Sequence, residues 1–136
     1  TKIESVHDES ILSWIEKHLW LVSLGPRHNT YSVLSNTNIS FETATALADA
    51  SENCWNAILK QDILAFGTYF RQAFEAQYAM LPNMVDAEIL KSIDQFKSLA
   101  LGWKLSGAGG GGYLILVSEK AIVGALRIKI RRKDWL

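Results

Sequence analysis

Six of the chain's nine glycines fall between Gly102 and Gly112, in Leu101-Gly-Trp-Lys-Leu-Ser-Gly-Ala-Gly-Gly-Gly-Gly-Tyr-Leu-Ile-Leu-Val117. Without a Cβ, the backbone at Gly107 and at Gly109, Gly110, Gly111 and Gly112 can adopt positive φ and present its N–H groups to an anion or to another loop. Each glycine also adds conformational entropy to the unfolded chain, and a hairpin turn needs only one or two of them. The spacing therefore points to a ligand-facing loop, with a flexible turn as the bland alternative. Gly107, Gly109 and Gly112 spell G-x-G-x-x-G, but a dinucleotide site requires a helix after the glycines, and Tyr113-Leu-Ile-Leu-Val117 reads as a buried strand. A P-loop is excluded because no Lys-Ser or Lys-Thr follows the last glycine. The unit is strand, glycine loop, strand.

Polar side chains near this loop are the next candidates for chemistry. Ser106 stands at the loop mouth, where its hydroxyl bonds a phosphate or caps the turn. Lys104 precedes it on the strand, as a phosphate contact or as a solvated lysine. Arg27 follows the Gly25-Pro26 turn, and its planar fork suits a carboxylate or phosphate as well as it suits a surface ion pair. His28 beside it makes no triad. Asp49 and Glu52 sit three apart on a helical stretch without a third ligand, which reads as a solvated face. His7 and His18 have no cysteine partners for zinc, and Cys54 occupies an apolar helical position that reads as packing rather than as a nucleophile.

Lys104, Leu105, Ser106 and the run from Gly107 through Ala108 to Val117 resemble the third conserved motif of the GHMP kinases. That superfamily phosphorylates small molecules such as galactose, homoserine and mevalonate. The resemblance extends, in the fucose-kinase and heptose-phosphate-kinase branch, to Leu24-Gly-Pro-Arg-His-Asn-Thr-Tyr-Ser-Val-Leu34, to Ala48 through Trp55, and to Phe74-Glu-Ala-Gln77 with Leu81-Pro-Asn-Met84. It implies phosphoryl transfer from ATP, with Mg²⁺, to a sugar hydroxyl. The glycine loop (Ser106, Gly107, Ala108, Gly109, Gly110, Gly111, Gly112) would line the ATP and sugar site, and Arg27 and Lys104 would be phosphate or substrate contacts. It also implies an N-terminal kinase domain of the same chain that carries a Ser- and Gly-rich phosphate loop, the aspartate base and most of the ATP and Mg²⁺ binding. Neither that loop nor that base is in this sequence, so the 136 residues are expected to form one C-terminal domain of a longer kinase, inactive alone. The start at Thr1 agrees with an excised or processed segment. A non-catalytic ligand-binding or oligomerisation module is the alternative from another class.

Composition narrows the partners. Fourteen basic and fourteen acidic residues balance, and 49% of the chain is hydrophobic, enough to close one core. No global field recommends nucleic acid or an anionic membrane, and the basic stretch from Arg127 to Lys133 lacks an aromatic platform for RNA bases. With no spanning run, no export signal and a single cysteine, a cytoplasmic home is expected.

The elements that must position the loop follow from periodicity. Asp8 to Lys17 is a short amphipathic stretch with Ile11, Leu12 and Ile15 on one side. His18 to Leu24 reads as a strand that Gly25-Pro26 ends, and Asn36 to Ser40 as a polar turn. Ala44, Leu47, Ala48, Ser51, Cys54, Trp55 and Ile58 give one long helix a buried stripe. Asp62 caps a second helix with the stripe Ile63, Phe66, Phe70, Phe74, Gln77 and Leu81, stopped by Pro82. A third helix spans about Asp86 to Ser98 through Ile89, Ile93 and Phe96. After the glycine unit comes a strand at about Ala125 to Ile130, with Arg127, Lys129 and Arg131 on one face. This order gives an α+β two-layer domain, an antiparallel sheet covered by helices. The resemblance implies the ferredoxin-like sandwich of the GHMP kinase C-terminal domain.

Overall fold

The computed structural model describes residues 3–25, 36–107 and 112–135. Helix α1 (Glu9–His18) leads into strand β1 (Leu19–Gly25). Helices α2 (Phe41–Lys60), α3 (Ile63–Met80) and α4 (Ala87–Phe96) follow, with a 3₁₀ turn at Pro82–Met84 between the last two. Strands β2 (Gly102–Leu105), β3 (Gly112–Val117) and β4 (Leu126–Arg127) complete the sheet. Its order is β2-β3-β1-β4, and every neighbouring pair is antiparallel. β1 and β2 thus run in the same direction with β3 between them, the split β-α-β arrangement of a ferredoxin-like sheet. The second crossover helix of that motif is replaced here by the short segment from Ser118 to Ala125.

Capping residues fix where the helices begin. Asp8, Asp62 and Asp86 each accept a hydrogen bond from a backbone N–H in the first turn, from Ser10, Ala65 and Ile89 respectively. Ser40 and Thr43 form a reciprocal capping box at the start of α2. Asn38 N–H donates to the Met80 carbonyl at 2.8 Å, tying the start of α2 to the end of α3.

Alternation along β3 divides the core. Leu114 and Leu116 join Trp20, Leu105, Phe74, Met84 and the α4 stripe of Ile89, Ile93 and Phe96, whereas Val117 meets Ala57 and Phe66 with Trp14, Leu19 and Cys54 packed around them. The α2 stripe is rotated from the expected one. Ala50 and Ala57 are its buried positions, while Ala44, Ala48 and Ser51 are exposed. Two alanines on one side of the helix let α2 come close to α3, and small side chains carry little hydrophobic signal of their own. Two strand boundaries also differ. His18 ends α1, with its Nδ1 2.6 Å from the Trp14 carbonyl, and β4 is only two residues long.

β4 is short because β1 begins at Leu19: the register of Trp20 with Arg127 would set Ile130 against Lys17, which lies in α1. Beyond β4 the Ile130 N–H donates to Glu16 Oε2 at 2.6 Å. Arg132 clasps the same helix, donating through Nε and Nη2 to both oxygens of Glu9 and through Nη1 and Nη2 to both of Glu16, at 2.7 to 3.1 Å. The Arg132 and Glu16 side chains are almost covered. Hydrogen bonds from Arg132 hold the Glu9 carboxyl down to about 2 and also lower that of Glu16, which the Ile130 N–H lowers further. Carboxyl groups depressed in the fold stabilise it above their ordinary pKa and lose that contribution as pH falls through the folded values. Arg132→Gln is therefore expected to melt several degrees below the parent at pH 7, and the gap to shrink steadily below about pH 4.5. Melting curves between pH 7 and pH 2.5 check this; a gap that does not change with pH would deny the clasp its charge.

Candidate functional site

Three strand ends meet at one end of the sheet, and each turns on a glycine. The β1–β3 pairing closes with Gly25 opposite Gly112, after an irregularity between Ser23 and Gly25. On the other side of β3, Leu105 faces Leu114, and the Ser106 N–H donates to the Tyr113 carbonyl at 2.9 Å. Gly25, Gly107 and Gly112 have φ of +83°, +70° and +85°. A Cβ at Gly25 or Gly112 would meet nothing within 4 Å, so these glycines answer to the backbone angle rather than to space. Because β1 and β3 are neighbours, the end of β1 at Gly25 lies beside the start of β3 at Gly112.

Placement of the sequence candidates follows from this frame. Ser106 lies just past the end of β2, partly buried, and Gly107 and Gly112 begin and end the loop. Lys104 lies within β2 and is half-buried. Arg27, Ala108, Gly109, Gly110 and Gly111 lie outside the described residues. Asp49 and Glu52 are exposed on α2, as a solvated face requires.

Lys104 is not a freely solvated lysine. Its ammonium donates to Gln77 Oε1 at 2.5 Å, and burial holds its pKa below the ordinary lysine value. Gln77 in turn donates from Nε2 to the Gly107 carbonyl at 3.4 Å. The periodicity of α3 assigns Gln77 to the core stripe and does not single it out. One signal was present: a polar side chain in line with Phe70 and Phe74 must find partners when it is covered. Cys54 packs in the smaller cluster near Lys104, and burial pushes its thiol up to about 11, so at neutral pH it is a protonated packing group.

α3 reaches this end of the molecule because its backbone touches that of the sheet. A Cβ on Gly102 would lie 2.3 Å from the Gly67 carbonyl oxygen, and one on Gly67 would lie 2.6 to 2.9 Å from Leu101 atoms. Farther along, α3 handles both neighbouring side chains of β2: Gln77 holds Lys104, and the Arg71 guanidinium rides 5.4 Å over the Trp103 ring.

Among the described residues the arrangement supplies a cation, Lys104, beside the glycine that follows β2, which is enough to contact an anionic group. Among the described residues it supplies no general base. Among the described residues no three His, Cys, Asp or Glu side chains gather to hold a metal ion. No helix of the described residues is long and apolar enough to cross a membrane.

No protein-family model and no curated protein matches the chain. Solved structures do. The chain is similar to a D-glycero-D-manno-heptose 1-phosphate kinase from Bacteroides thetaiotaomicron, with 16% identity and a TM-score of 0.53 over 85% of this chain. It is also similar to a mevalonate kinase, with 18% identity and a TM-score of 0.61 over 86% of this chain. It spans 29% and 37% of those two chains, about a third of their length. At such identities the likeness is one of fold: the α+β, ferredoxin-like arrangement of this chain is shared with part of two small-molecule kinases of the GHMP type.

Proposed function

We propose that the chain is the C-terminal domain of an ATP-dependent GHMP sugar kinase, with L-fucose as acceptor and L-fucose 1-phosphate as product, serving GDP-fucose salvage in the cytoplasm. The observation that carries the reading is the glycine run between hydrogen-bonded antiparallel strands, in a fold that two kinases share, with Lys104 half-buried beside the loop hinge. The choice of fucose rests on the sequence resemblance at Leu24 to Leu34. That resemblance is greatest to the bacterial enzyme coupling fucose kinase to a GDP-fucose pyrophosphorylase.

Phosphoryl transfer asks little covalent work of a protein. It needs in-line placement of ATP and acceptor and donors for the charge on the transferred group. In this reading the N-terminal domain of the same protein binds most of the ATP and Mg²⁺ and supplies the base. The present residues form the facing wall: Ser106 and the backbone from Gly107 to Gly112 approach the phosphates, and Lys104 and Arg27 contribute positive charge. A wall without the phosphate loop and base does not turn over, so the 136-residue chain alone is expected to release no ADP.

The test is ADP release by the full-length protein with Mg²⁺ and, in turn, L-fucose, L-galactose, D-galactose, mevalonate and D-glycero-D-manno-heptose 1-phosphate. A site that hydrogen-bonds particular hydroxyls rejects acceptors that leave its polar groups unpaired. The expected order of kcat/KM is therefore L-fucose modestly above L-galactose and far above the others. Equal use of mevalonate or D-galactose removes fucose from the reading, and no ADP release with any acceptor removes the kinase and favours a binding or oligomerisation module.

A further inference from the structure

We infer that Gln77 is a positioning residue for the end of β2, holding the Lys104 ammonium and the Gly107 carbonyl in fixed relation to each other. The tether itself stands on geometry. Its consequence for turnover rests on the kinase reading above.

The side-chain amide of Gln77 lies between two groups of opposite hydrogen-bonding character. An ammonium only donates and a backbone carbonyl only accepts. Facing Lys104 Nζ, the amide must present Oε1; facing the Gly107 carbonyl, it must present Nε2. Both partners thus fix the same orientation of the amide. The residue type follows as well. Glutamate would satisfy Lys104 but would set a carboxylate against the Gly107 carbonyl. Lysine or arginine would satisfy the carbonyl but repel the ammonium, and asparagine is one methylene shorter.

The two bonds differ in strength. The one from Lys104 is short and charge-assisted, while the one to Gly107 is long, and it acts on a residue whose φ of +70° sets the direction in which the loop departs. Gln77 sits on α3, which the Gly67–Gly102 backbone contact holds against β2, so the tether is mounted on a fixed frame. An ammonium has three donors, so Lys104 can keep its bond to Oε1 while another of its N–H groups meets an anionic group. One side chain thereby holds the cation and the Gly107 carbonyl in fixed relation to each other.

The experiment compares Gln77→Met, Gln77→Glu and the exposed control Gln72→Met in the full-length protein. The first arm is amide hydrogen exchange of the peptide from Lys104 to Leu114. Met loses both bonds and Glu loses only the one to Gly107, so both should raise exchange by about threefold, the factor one weak hydrogen bond carries, while the control leaves it unchanged. The second arm is steady-state kinetics. Gln77→Met is expected to lower kcat about tenfold by misplacing Lys104 and Gly107. Gln77→Glu, which still holds Lys104, should lower kcat while leaving the KM for ATP near the parent value. A general loss of folding would instead move the melting temperature and both kinetic constants together. Parent-like exchange in both variants overturns the tether, and raised exchange with a parent kcat overturns the positioning role. If the parent protein releases no ADP, the kinase reading fails and the exchange arm alone decides the tether.

Discussion

Gly102→Ala is expected to lower the unfolding free energy by about 3 kcal/mol, at the upper end of what overpacking costs, and the melting temperature by roughly 10 °C. A methyl group there would lie 2.3 Å from the Gly67 carbonyl oxygen and 2.9 Å from its carbon. Both obstacles are backbone of an 18-residue helix, so nothing small can swing aside. α3 must lift from β2, which loosens Gln77 from Lys104 and Phe66 from Val117 at once. Gly25→Ala makes the informative control. Its φ is +83° but no atom lies within 4 Å of the added methyl, so it pays only the left-handed backbone strain, about 1 kcal/mol. Thermal denaturation of the two variants separates collision from torsion. A Gly102→Ala protein that melts no lower than Gly25→Ala would mean that the helix and strand do not touch as described.

Gly107→Val in the full-length protein is the second large effect, and it bears on the proposed kinase. Valine is stiff at χ1 and disfavours positive φ, while Gly107 sits at +70° where β2 gives way to the loop. The loop would leave the strand in another direction and its donors would miss the transferred phosphoryl. The expected result is a fall in kcat/KM of at least about tenfold, near 1.4 kcal/mol of transition-state stabilisation. Since Gly107 is exposed at the sheet end, the melting temperature should drop far less than in Gly102→Ala. Parent kinetics in Gly107→Val would leave the glycine run as a turn between two strands.

How much of this was legible in the sequence depends on the range of the interaction. Aspartates at helix starts act on N–H groups two or three residues away, and Asp62 and Asp86 could be assigned from local pattern alone. The α4 stripe of Ile89, Ile93 and Phe96 was legible for the same reason: large side chains at helical spacing leave one orientation. In α2 the buried positions are alanines, so larger or sulfur-bearing neighbours drew the apparent stripe around the helix. The glycine run announced a loop between strands, yet no local pattern could show that Gly67 supports it from 35 positions upstream of Gly102. Gln77 and the Glu9–Glu16–Arg132 clasp belong to the same class. Their partners are distant in the chain, and the sequence holds only the clue that a covered polar group must be matched.

The clasp and the α3 contact bear on how the sheet behaves toward other molecules of its kind. A sheet with a free edge offers unpaired N–H and C=O groups on which a second strand can grow, the first step toward aggregation. Here β2, at one end of the sheet, has a helix lying along it. At the other end β4 stops after two residues, and just beyond it Glu16 takes the Ile130 N–H. Exposed Arg127, Lys129 and Arg131 alternate along that short margin and would repel a copy of themselves laid alongside. The ion cluster that fastens the last segment to the first helix therefore also occupies a backbone donor beside that margin, leaving less of it for self-association through the sheet.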